Sequence, residues 1–238
     1  MPIVIFQSPT GKDKTDAVER LISGSTPSQD FFLMIIFSVL TATFGLLLNN
    51  VAIIIGSMLI APMLYPILSF SLGITMSDPL VISRSFYTII KSILFGIVFA
   101  ALATILFSSQ FEGITPEIIS RTHPTLPYLA IAVIAGFAAS FALVKPQLSE
   151  TLPGIAISVA LIPPIAVTGI GIAWLNSSII YGSLLLFMVN ALGVIFAGII
   201  TFSLMNFYVK RKKADEVVKK EDLKIKKDIQ KVEKRKNN

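Results

Sequence analysis

Long apolar runs separated by short polar segments dominate the hydropathy pattern of this chain. Asp, Glu, Lys and Arg are all missing from residues 31–77 and again from residues 151–209. A helix needs about 20 apolar residues to cross a bilayer, so each of these two runs has room for two spans. Further apolar runs follow Pro79 and Pro127. The pattern therefore predicts an all-α, polytopic membrane protein with six transmembrane helices.

Prolines interrupt the second and the fifth of these predicted helices near their centres. They are Pro62 and Pro66 in the second span, 49–73, and Pro163 and Pro164 in the fifth, 150–174. A proline inside a helix removes an N–H donor and clashes with the carbonyl group four residues earlier, which costs about 3 kcal/mol. Both spans should therefore break, and the carbonyl oxygens left without a donor need protein, water or a ligand. Those oxygens belong to Met58, Pro62, Val159 and Ala160.

The positions of the two breaks indicate an internal repeat. Six spans divide into two halves of three, about 30–108 and 127–208. Because each half crosses the membrane an odd number of times, the halves would face opposite ways, as inverted repeats do. An offset of 101 residues lays 57–62 on 158–163, with a serine at the start and a proline at the end of both segments. We therefore predict an inverted repeat with the two broken helices in equivalent places.

The charge distribution predicts the orientation and the limits of the membrane domain. The chain has a net charge of +6, and the 13 basic and 6 acidic residues from Lys210 onward account for all of the excess. Basic residues mark the cytoplasmic side, so we place both termini in the cytoplasm of a multi-pass cell-membrane protein. Three regions follow: a cytoplasmic segment at 1–29, the six-span domain at 30–208, and a basic helical tail at 209–238.

Both ends of the chain carry helical patterns. Near the amino end, four apolar residues predict a short amphipathic helix that packs against the bundle or lies on the membrane surface, with packing favoured. They are Ala17, Val18, Leu21 and Ile22. A sparser stripe in the tail predicts a solvated or membrane-skimming helix, or one that pairs with its copy in an oligomer. Its members are Val218, Ile225, Ile229 and Val232.

The expected partners follow from these patterns. The lysines and arginines of the tail favour anionic lipid, and the nearly neutral body gives no sign of nucleic-acid binding. The spans themselves require the lipid bilayer as their solvent. We also expect a homo-oligomer.

Composition argues against an enzyme. The chain has no cysteine, no HExxH motif and a single histidine, His123, in the predicted external connection. A zinc site needs several His, Cys or acidic ligands, and a nucleophilic serine needs a base beside it. No glycine-rich phosphate loop follows a strand. We therefore expect no enzymatic activity, no cofactor and no metal site.

Glu150 is the acidic residue best placed for function, because it stands at the start of the fifth span. A carboxylate beside or within a span is costly and marks a proton or cation site by default. The structural alternative is a helix cap, in which residues 149–151 satisfy the first N–H groups of the fifth helix. The acid would then also face the positive end of the helix dipole. The two roles can coexist.

Five other polar residues complete the candidate site, each with a structural alternative. Asn49 and Asn50 could coordinate an ion or bind a polar solute, or they could form the turn between two spans. Ser57 and Ser158 could line a path or bond back to their own helices. Asn190, in the sixth span, needs a partner on a neighbouring helix or a carbonyl group freed by the breaks.

Two segments of the sequence resemble the hallmark segments of a known family. They are IIIGSMLIAPMLYPILSFSLGI in the second span and KPQLSETLPGIAISVALIPPIAVTGIGIA around the fifth. On these segments the chain is identified as a member of the membrane-protein family catalogued as domain of unknown function 389, over roughly residues 31–207. The resemblance implies several membrane spans but no substrate. Its signature positions are Gly56, Ser57, Pro62, Pro66, Ser149, Glu150, Pro153, Gly154, Pro163 and Pro164.

Together these features predict a transporter or channel for a small polar or ionic solute. The broken second and fifth helices would form the site at mid-membrane depth, with Glu150 as the coupling or gating acid. The alternative is a non-transporting membrane scaffold or regulatory protein whose basic tail binds lipid or a soluble partner.

Overall fold

The computed structural model describes residues 9–107 and 113–236, and every regular element in these two ranges is helical. The helices are α1 Gly11–Gly24, α2 Gln29–Leu47, α3 Val51–Ile60, α4 Leu64–Met76, α5 Pro79–Phe107, α6 Pro116–Ile119, α7 Leu126–Val144, α8 Leu152–Val159, α9 Ile162–Ala173, α10 Ser177–Leu204 and α11 Arg211–Lys236. Two 3-10 turns, Pro146–Thr151 and Phe207–Lys210, precede α8 and α11. The predicted all-α fold is confirmed for the described part of the chain.

Side-chain caps set the starts of several helices. At each start, a side-chain oxygen accepts a hydrogen bond from the N–H group three residues later, which satisfies one of the open donors of the first turn. The capping residues are Thr10, Ser28, Asn50, Thr115 and Asn176. Asp78 caps α5 in the same way, through the N–H groups of Leu80 and Val81.

Five helical stretches are long and apolar enough to cross a membrane. They are α2, α5, α7, α10 and the stretch Leu152–Ala173, which combines α8 and α9. The pair α3 and α4 passes the same test, but its two helices are bent by 51° relative to each other. The structure therefore provides five such helices, or the predicted six if the bent pair counts as one span.

Apolar side chains cover much of the outside of the bundle. Examples are Phe37, Leu59, Leu94, Leu102, Ile134 and Phe196. Large exposed apolar surfaces are rare on soluble monomers. Small residues lie inside, where helices meet closely: a Cβ atom added to Gly169 would stand 2.6 Å from the carbonyl oxygen of Ile97. This contact lets α5 and α9 pack backbone against backbone.

The two halves of the bundle repeat one order of helices. α2, α3, α4 and α5 have 19, 10, 13 and 29 residues, and α7, α8, α9 and α10 have 19, 8, 12 and 28. The halves also exchange equivalent contacts, since α5 packs along α9 and α10 packs along α4. Their inverted orientation across a membrane stays a prediction.

The hairpins α4–α5 and α9–α10 agree in detail. In each, a left-handed residue precedes the helix cap, and the N–H of the cap donates to a glycine carbonyl 2.9 Å away. The three residues are Ser77, Asp78 and Gly73 in one hairpin and Leu175, Asn176 and Gly171 in the other. Buried hydroxyl pairs join the helices of each hairpin: Ser69 with Ser85 at 2.9 Å, and Thr168 with Ser183 at 2.8 Å.

These equivalent residues correct the predicted alignment of the halves. Gly73 corresponds to Gly171 and Asp78 to Asn176, so the offset in the hairpins is 98 residues. The offset of 101 taken from 57–62 and 158–163 therefore does not extend to the hairpins. The reason is that α8 and the break after it occupy 152–161, whereas α3 and its break occupy 51–63, which is longer by three residues.

Both ends of the described chain pack against one face of the bundle, which we call the terminal face. α1 packs against α4, α7 and α11 and buries the stripe predicted from the sequence. This contact confirms that α1 packs against the bundle. The first half of α11 is docked as well, with Ala214, Val217 and Val218 buried. Arg84 of α5 forms an ion pair with Asp222 of α11 at 3.0 Å.

The docked tail departs from the predicted one. Val218 is buried as the stripe predicted, but Ile229 is 48% exposed, and the side chain of Val232 lies outside the described residues. The buried stripe begins earlier, at Ala214, and continues with Val217 and Val218 in the first half of α11. A fully solvated or membrane-skimming tail is therefore wrong for the first half of α11.

Candidate functional site

The first break separates α3 from α4. α3 ends at Ile60, Ala61 leaves the helix with extended backbone angles (φ −81°, ψ 127°), and α4 begins at Leu64. Pro62 lies in the break and has no N–H to donate to the carbonyl of Met58. The break predicted from this proline is present.

Two carbonyl groups beside the first break find partners inside the protein. The carbonyl of Ser57 accepts a hydrogen bond from the hydroxyl of Ser38 at 2.6 Å. The carbonyl of Pro62 accepts one from the N–H of Tyr65 at 3.3 Å. The expectation that Pro66 leaves this oxygen without a donor is therefore wrong, because a tight turn replaces the helical bond. Pro66 itself is buried in the first turn of α4, where proline costs little.

The second break separates α8 from α9. α8 ends at Val159, and Ala160 adopts left-handed backbone angles (φ 47°, ψ 61°). Pro163 and Pro164 follow in the first turn of α9, so they begin the new helix rather than kink an old one. The carbonyl of Ala160 accepts a hydrogen bond from the side-chain amide of Asn190, 3.3 Å away. Asn190 thus takes the second of its two expected partners, a carbonyl group freed by the break.

A cavity of about 250 Å³ opens beside the first break. Its wall combines the end of α3 and the start of α4 with α7, α8 and the turn before α8. Among its lining residues are Ala61, Pro62, Tyr65, Glu150, Pro153 and Ala156. A pocket of about 10 Å³ shares Ala61 and Ala156 with it and continues to Leu161 and Ile162 at the second break. The two breaks therefore face each other across the helix contact of α3 and α8.

Glu150 brings the only charge among the described residues that line this cavity. It lies in the 3-10 turn before α8 and is exposed. Thr151, the residue next to the helix, makes no side-chain cap, because its hydroxyl donates to the carbonyl of Leu148 at 2.6 Å. The side chain of Ser149 lies outside the described residues. The helix-cap alternative therefore gains no support from Thr151, and Glu150 stands at the cavity wall.

The asparagine pair lies in the turn between α2 and α3, away from the cavity lining. Asn49 has left-handed backbone angles (φ 53°), and its side chain accepts a hydrogen bond from the N–H of Glu117 at 3.2 Å. Asn50 caps α3 through the N–H of Ile53. These contacts are those of the structural alternative, and a solute-binding role for either residue stays a prediction.

The serine pair bonds back to its own helices. The hydroxyl of Ser57 is fully buried and donates to the carbonyl of Ile54 at 2.6 Å. Ser158 is exposed and donates to the carbonyl of Gly154 at 3.5 Å. Neither serine is among the residues that line the cavity, so the structure brings together Pro62 and Glu150 but not the serines.

The sequence pattern does not single out Tyr65, Leu143 or Ala156, which also line the cavity. The available signal is position: Tyr65 follows Pro62 by three residues. Its ring also packs on the end of α1, since a Cβ atom added to Gly24 would stand 2.8 Å from it. The cavity is thereby in direct contact with the terminal face.

The fold and the site define a class: over residues 9–107 and 113–236 the protein is helical, with five or six helices able to cross a membrane, two of them broken at facing positions. The chain belongs to the family described as domain of unknown function (DUF389), whose family model matches residues 58–196. The matched region runs from the end of α3 into α10, so it contains both breaks and most of the cavity wall. The family resemblance seen in the sequence is confirmed.

A curated relative extends the comparison to an archaeon. The chain is similar to the uncharacterized protein MJ0678 of Methanocaldococcus jannaschii, with 33% identity over 178 residues, which make up 74% of this chain and 54% of that protein. The chain therefore spans about half the length of this relative. No solved structure matches the chain.

Proposed function

We propose that the protein is a membrane transporter or channel for a small polar or ionic solute, with its site in the cavity that the first break and α8 line. The observation that carries this proposal is the cavity wall, where the broken backbone at Ala61 and Pro62 meets the carboxylate of Glu150. Irregular backbone at membrane depth is tolerated where it lines a cavity or is buried in protein. Paired broken helices form the substrate sites of many transporters.

The chemistry of the wall supports a cation or a hydrogen-bond donor as the solute. The last carbonyl groups of α3 lack the donors of a continuous helix, and Glu150 adds a negative charge beside them. Carbonyl and carboxylate oxygens are acceptors that replace a hydration shell. A volume of about 250 Å³ holds several water molecules, since each occupies about 30 Å³. A small, partly hydrated solute therefore fits.

The burial of the half-helices supports a division between fixed and moving parts. α4 and α9 are buried along most of their length, whereas most residues of α3 and α8 are half-buried or exposed. A segment with few buried contacts opens at a lower free-energy cost than a core element. In this proposal α3 and α8 move against the fixed α4 and α9, and Glu150 acts as the coupling or gating acid.

The test is a flux screen in proteoliposomes, with monovalent cations tried before neutral solutes. The account predicts flux for the wild-type protein, a loss of at least tenfold in Glu150→Gln, and a similar loss when Ala156→Phe fills the cavity. Ser158→Ala is the matched control, because Ser158 lies on the same helix outside the cavity lining. Equal flux in all four proteins, or no flux above empty vesicles for any solute, contradicts the proposal.

The second candidate function is a membrane scaffold that uses its basic tail. The observation in its favour is that the second half of α11 extends beyond the docked half, with Lys226 and Lys227 exposed. Exposed basic residues next to a membrane favour anionic lipid. Both proposals share a bilayer-embedded body, cytoplasmic termini and assembly as a homo-oligomer.

Truncation after Lys224 separates the two candidates, because it removes the exposed half of α11 and keeps the half that packs on α1 and α5. A transporter retains solute flux without residues 225–238. A scaffold loses its binding to vesicles that contain anionic lipid. Binding that is unchanged by the truncation contradicts the scaffold.

A further inference from the structure

Asp78, in the turn between α4 and α5, is buried more completely than its cap requires. The residue is 1% exposed. Its Oδ1 atom accepts hydrogen bonds from the N–H groups of Leu80 at 3.0 Å and Val81 at 3.3 Å. Its Oδ2 atom is also buried and has no hydrogen-bond partner in the described part of the chain. A buried charge without a partner is costly, so the second oxygen needs an explanation.

The equivalent residue of the other half shows that a cap needs no charge here. Asn176 stands at the same point of the α9–α10 hairpin, 98 residues later, with the same backbone hydrogen bond to a glycine carbonyl. Its neutral side chain accepts from the N–H of Ile179 at 3.2 Å, as Asp78 accepts from Val81. Capping therefore does not require the charge of Asp78.

The side chain that faces Asp78 is a second carboxylate, Asp215 of α11. Burial first, and then the field of Asp215, raise the pKa of Asp78 above its ordinary value, against the cap hydrogen bonds, which lower it. Ala214, next to Asp215, is fully buried, so the tail is packed tightly at this point. A negative charge on one carboxyl group disfavours ionisation of a second one that interacts with it.

The basic side chains of the surrounding elements are directed to other groups. Arg84 of α5 pairs with Asp222, Lys213 with Glu216, and Lys220 with Glu19 of α1. The Nζ atom of Lys210 lies near Gly11. α4 contributes no Asp, Glu, Lys or Arg. Among the described residues, the charge that acts on Asp78 is that of Asp215.

We propose that Asp78 and Asp215 form a proton-binding site that fastens the tail helix α11 to the membrane body. A single proton taken from water binds to one carboxyl group, and that O–H donates a hydrogen bond to the other carboxylate. The bond satisfies the open Oδ2 atom of Asp78 and removes the repulsion between the two acids. This proposal depends on the packing of α11 alone and does not depend on any transport activity.

The direction of the pH dependence follows from linkage. The part of the raised pKa of Asp78 that comes from Asp215 requires the docked tail, so the docked state binds more protons than the undocked state. The contribution of this site to docking is complete below the ordinary carboxyl pKa of about 4. It is lost as the pH rises through the raised value, where the second carboxyl group ionises.

The absence of cysteine from the chain permits a direct test by pairs of spin labels. Spin labels are attached to cysteines made by Ser83→Cys on α5 and Leu223→Cys on α11, which are both exposed positions. The measurement uses the full-length protein with a chelator present. Wild type should show one short distance at acidic pH and a broader, longer distribution at alkaline pH. Asp78→Asn and Asp215→Asn should keep the short distance at both, because an amide donates to the remaining carboxylate without a proton.

Asn176→Asp is the matched control, since it makes the same chemical change at the equivalent cap, far from the tail. It should leave the pH response of the labels unchanged. A wild-type label distance that does not change across this pH range overturns the proposal. A pH response that both Asp78→Asn and Asp215→Asn retain also overturns it. The asparagine in Asp78→Asn should still cap α5, because Asn176 caps α10 in the other half. Asp215→Asn tests the same site from the tail.

Discussion

The two halves of the protein agree in their hairpins and differ at their breaks. The hairpins α4–α5 and α9–α10 share a left-handed turn residue, a cap and a buried hydroxyl pair. At the breaks, the carbonyl of Pro62 is satisfied locally by Tyr65, whereas the equivalent carbonyl of Ala160 is satisfied by Asn190 from another helix. Only the first break adjoins the cavity of about 250 Å³, among the described residues.

The comparison separates features that both halves share from features that only one half has. Features present in both halves hold the hairpins together and need no functional explanation. Features present once are candidates for function: Glu150 at the cavity wall, the acid at Asp78 where the other half has an amide, and α1. In one half, α2 packs directly on α9. The corresponding pair of the other half is α7 and α4, and there α1 contacts both helices.

Glycine substitutions should have the largest effect on this comparison. A Cβ atom at Gly73 would stand 3.0 Å from the backbone nitrogen of Ile82, and one at Gly171 would stand 3.1 Å from that of Ile180. We expect Gly73→Ala and Gly171→Ala to destabilise the protein by similar amounts, about 1–3 kcal/mol, because backbone must shift in both. Thermal unfolding in detergent measures the loss.

Gly56→Ala and Gly154→Ala are the controls for these variants. An added Cβ atom at either position meets nothing within 4 Å, and alanine is favoured over glycine in a helix by up to about 1 kcal/mol. Both controls should be neutral or stabilising. Strongly unequal losses in Gly73→Ala and Gly171→Ala would break the equivalence of the hairpins.

Asn190→Leu should have an intermediate effect. The change removes the hydrogen bond to Ala160 and leaves a buried carbonyl group at the second break, which should cost about 1 kcal/mol. Ser92→Ala is the matched change, because Ser92 occupies the equivalent position of α5 and donates within its own helix, to Thr88. We expect Ser92→Ala to cost less than half as much in the same unfolding measurement. An equal cost would mean that Asn190 does not support the break.

Ser85→Ala and Ser183→Ala should have the smallest effects, and equal ones. Each removes one buried hydroxyl pair between the helices of a hairpin. Hydrogen bonds between helices in membranes average about 0.6 kcal/mol, so each variant should lose about that much. The double variant should lose the sum, because the pairs share no partner. A loss confined to one hairpin would show that the hydroxyl pairs are not equivalent.

Several of these features were predictable from local sequence. Pro62 and Pro163 predict the breaks because a proline removes a donor wherever it stands. The period of α1 predicts its buried stripe for the same local reason. The sequence does not predict that Pro163 and Pro164 start α9, because the break depends on the left-handed angles of Ala160.

The features that the sequence did not predict depend on residues that are far apart in the chain. Arg84 and Asp222 are far apart in the chain, and no periodic pattern announces their ion pair, so the docking of α11 was not predictable. The match of Asp78 with Asn176 is equally hidden, because the offset changes by three residues at the breaks. Glu150 was predictable as a candidate by its position, but its place at the cavity wall depends on the packing of α8 against α3.

The proposed site requires that water reach the cavity wall at the broken backbone of Ala61 and at Ala156 of α8. Single cysteines made by Ala61→Cys and Ala156→Cys, in a chain that otherwise has none, can be exposed to a charged, membrane-impermeant thiol reagent in proteoliposomes. Ala139→Cys, fully buried in α7, and Leu102→Cys, exposed on the apolar outside of α5, are the controls. We predict modification at positions 61 and 156 and none at 102 and 139. Labelling of positions 61 and 156 only by a membrane-permeant reagent would contradict the claim.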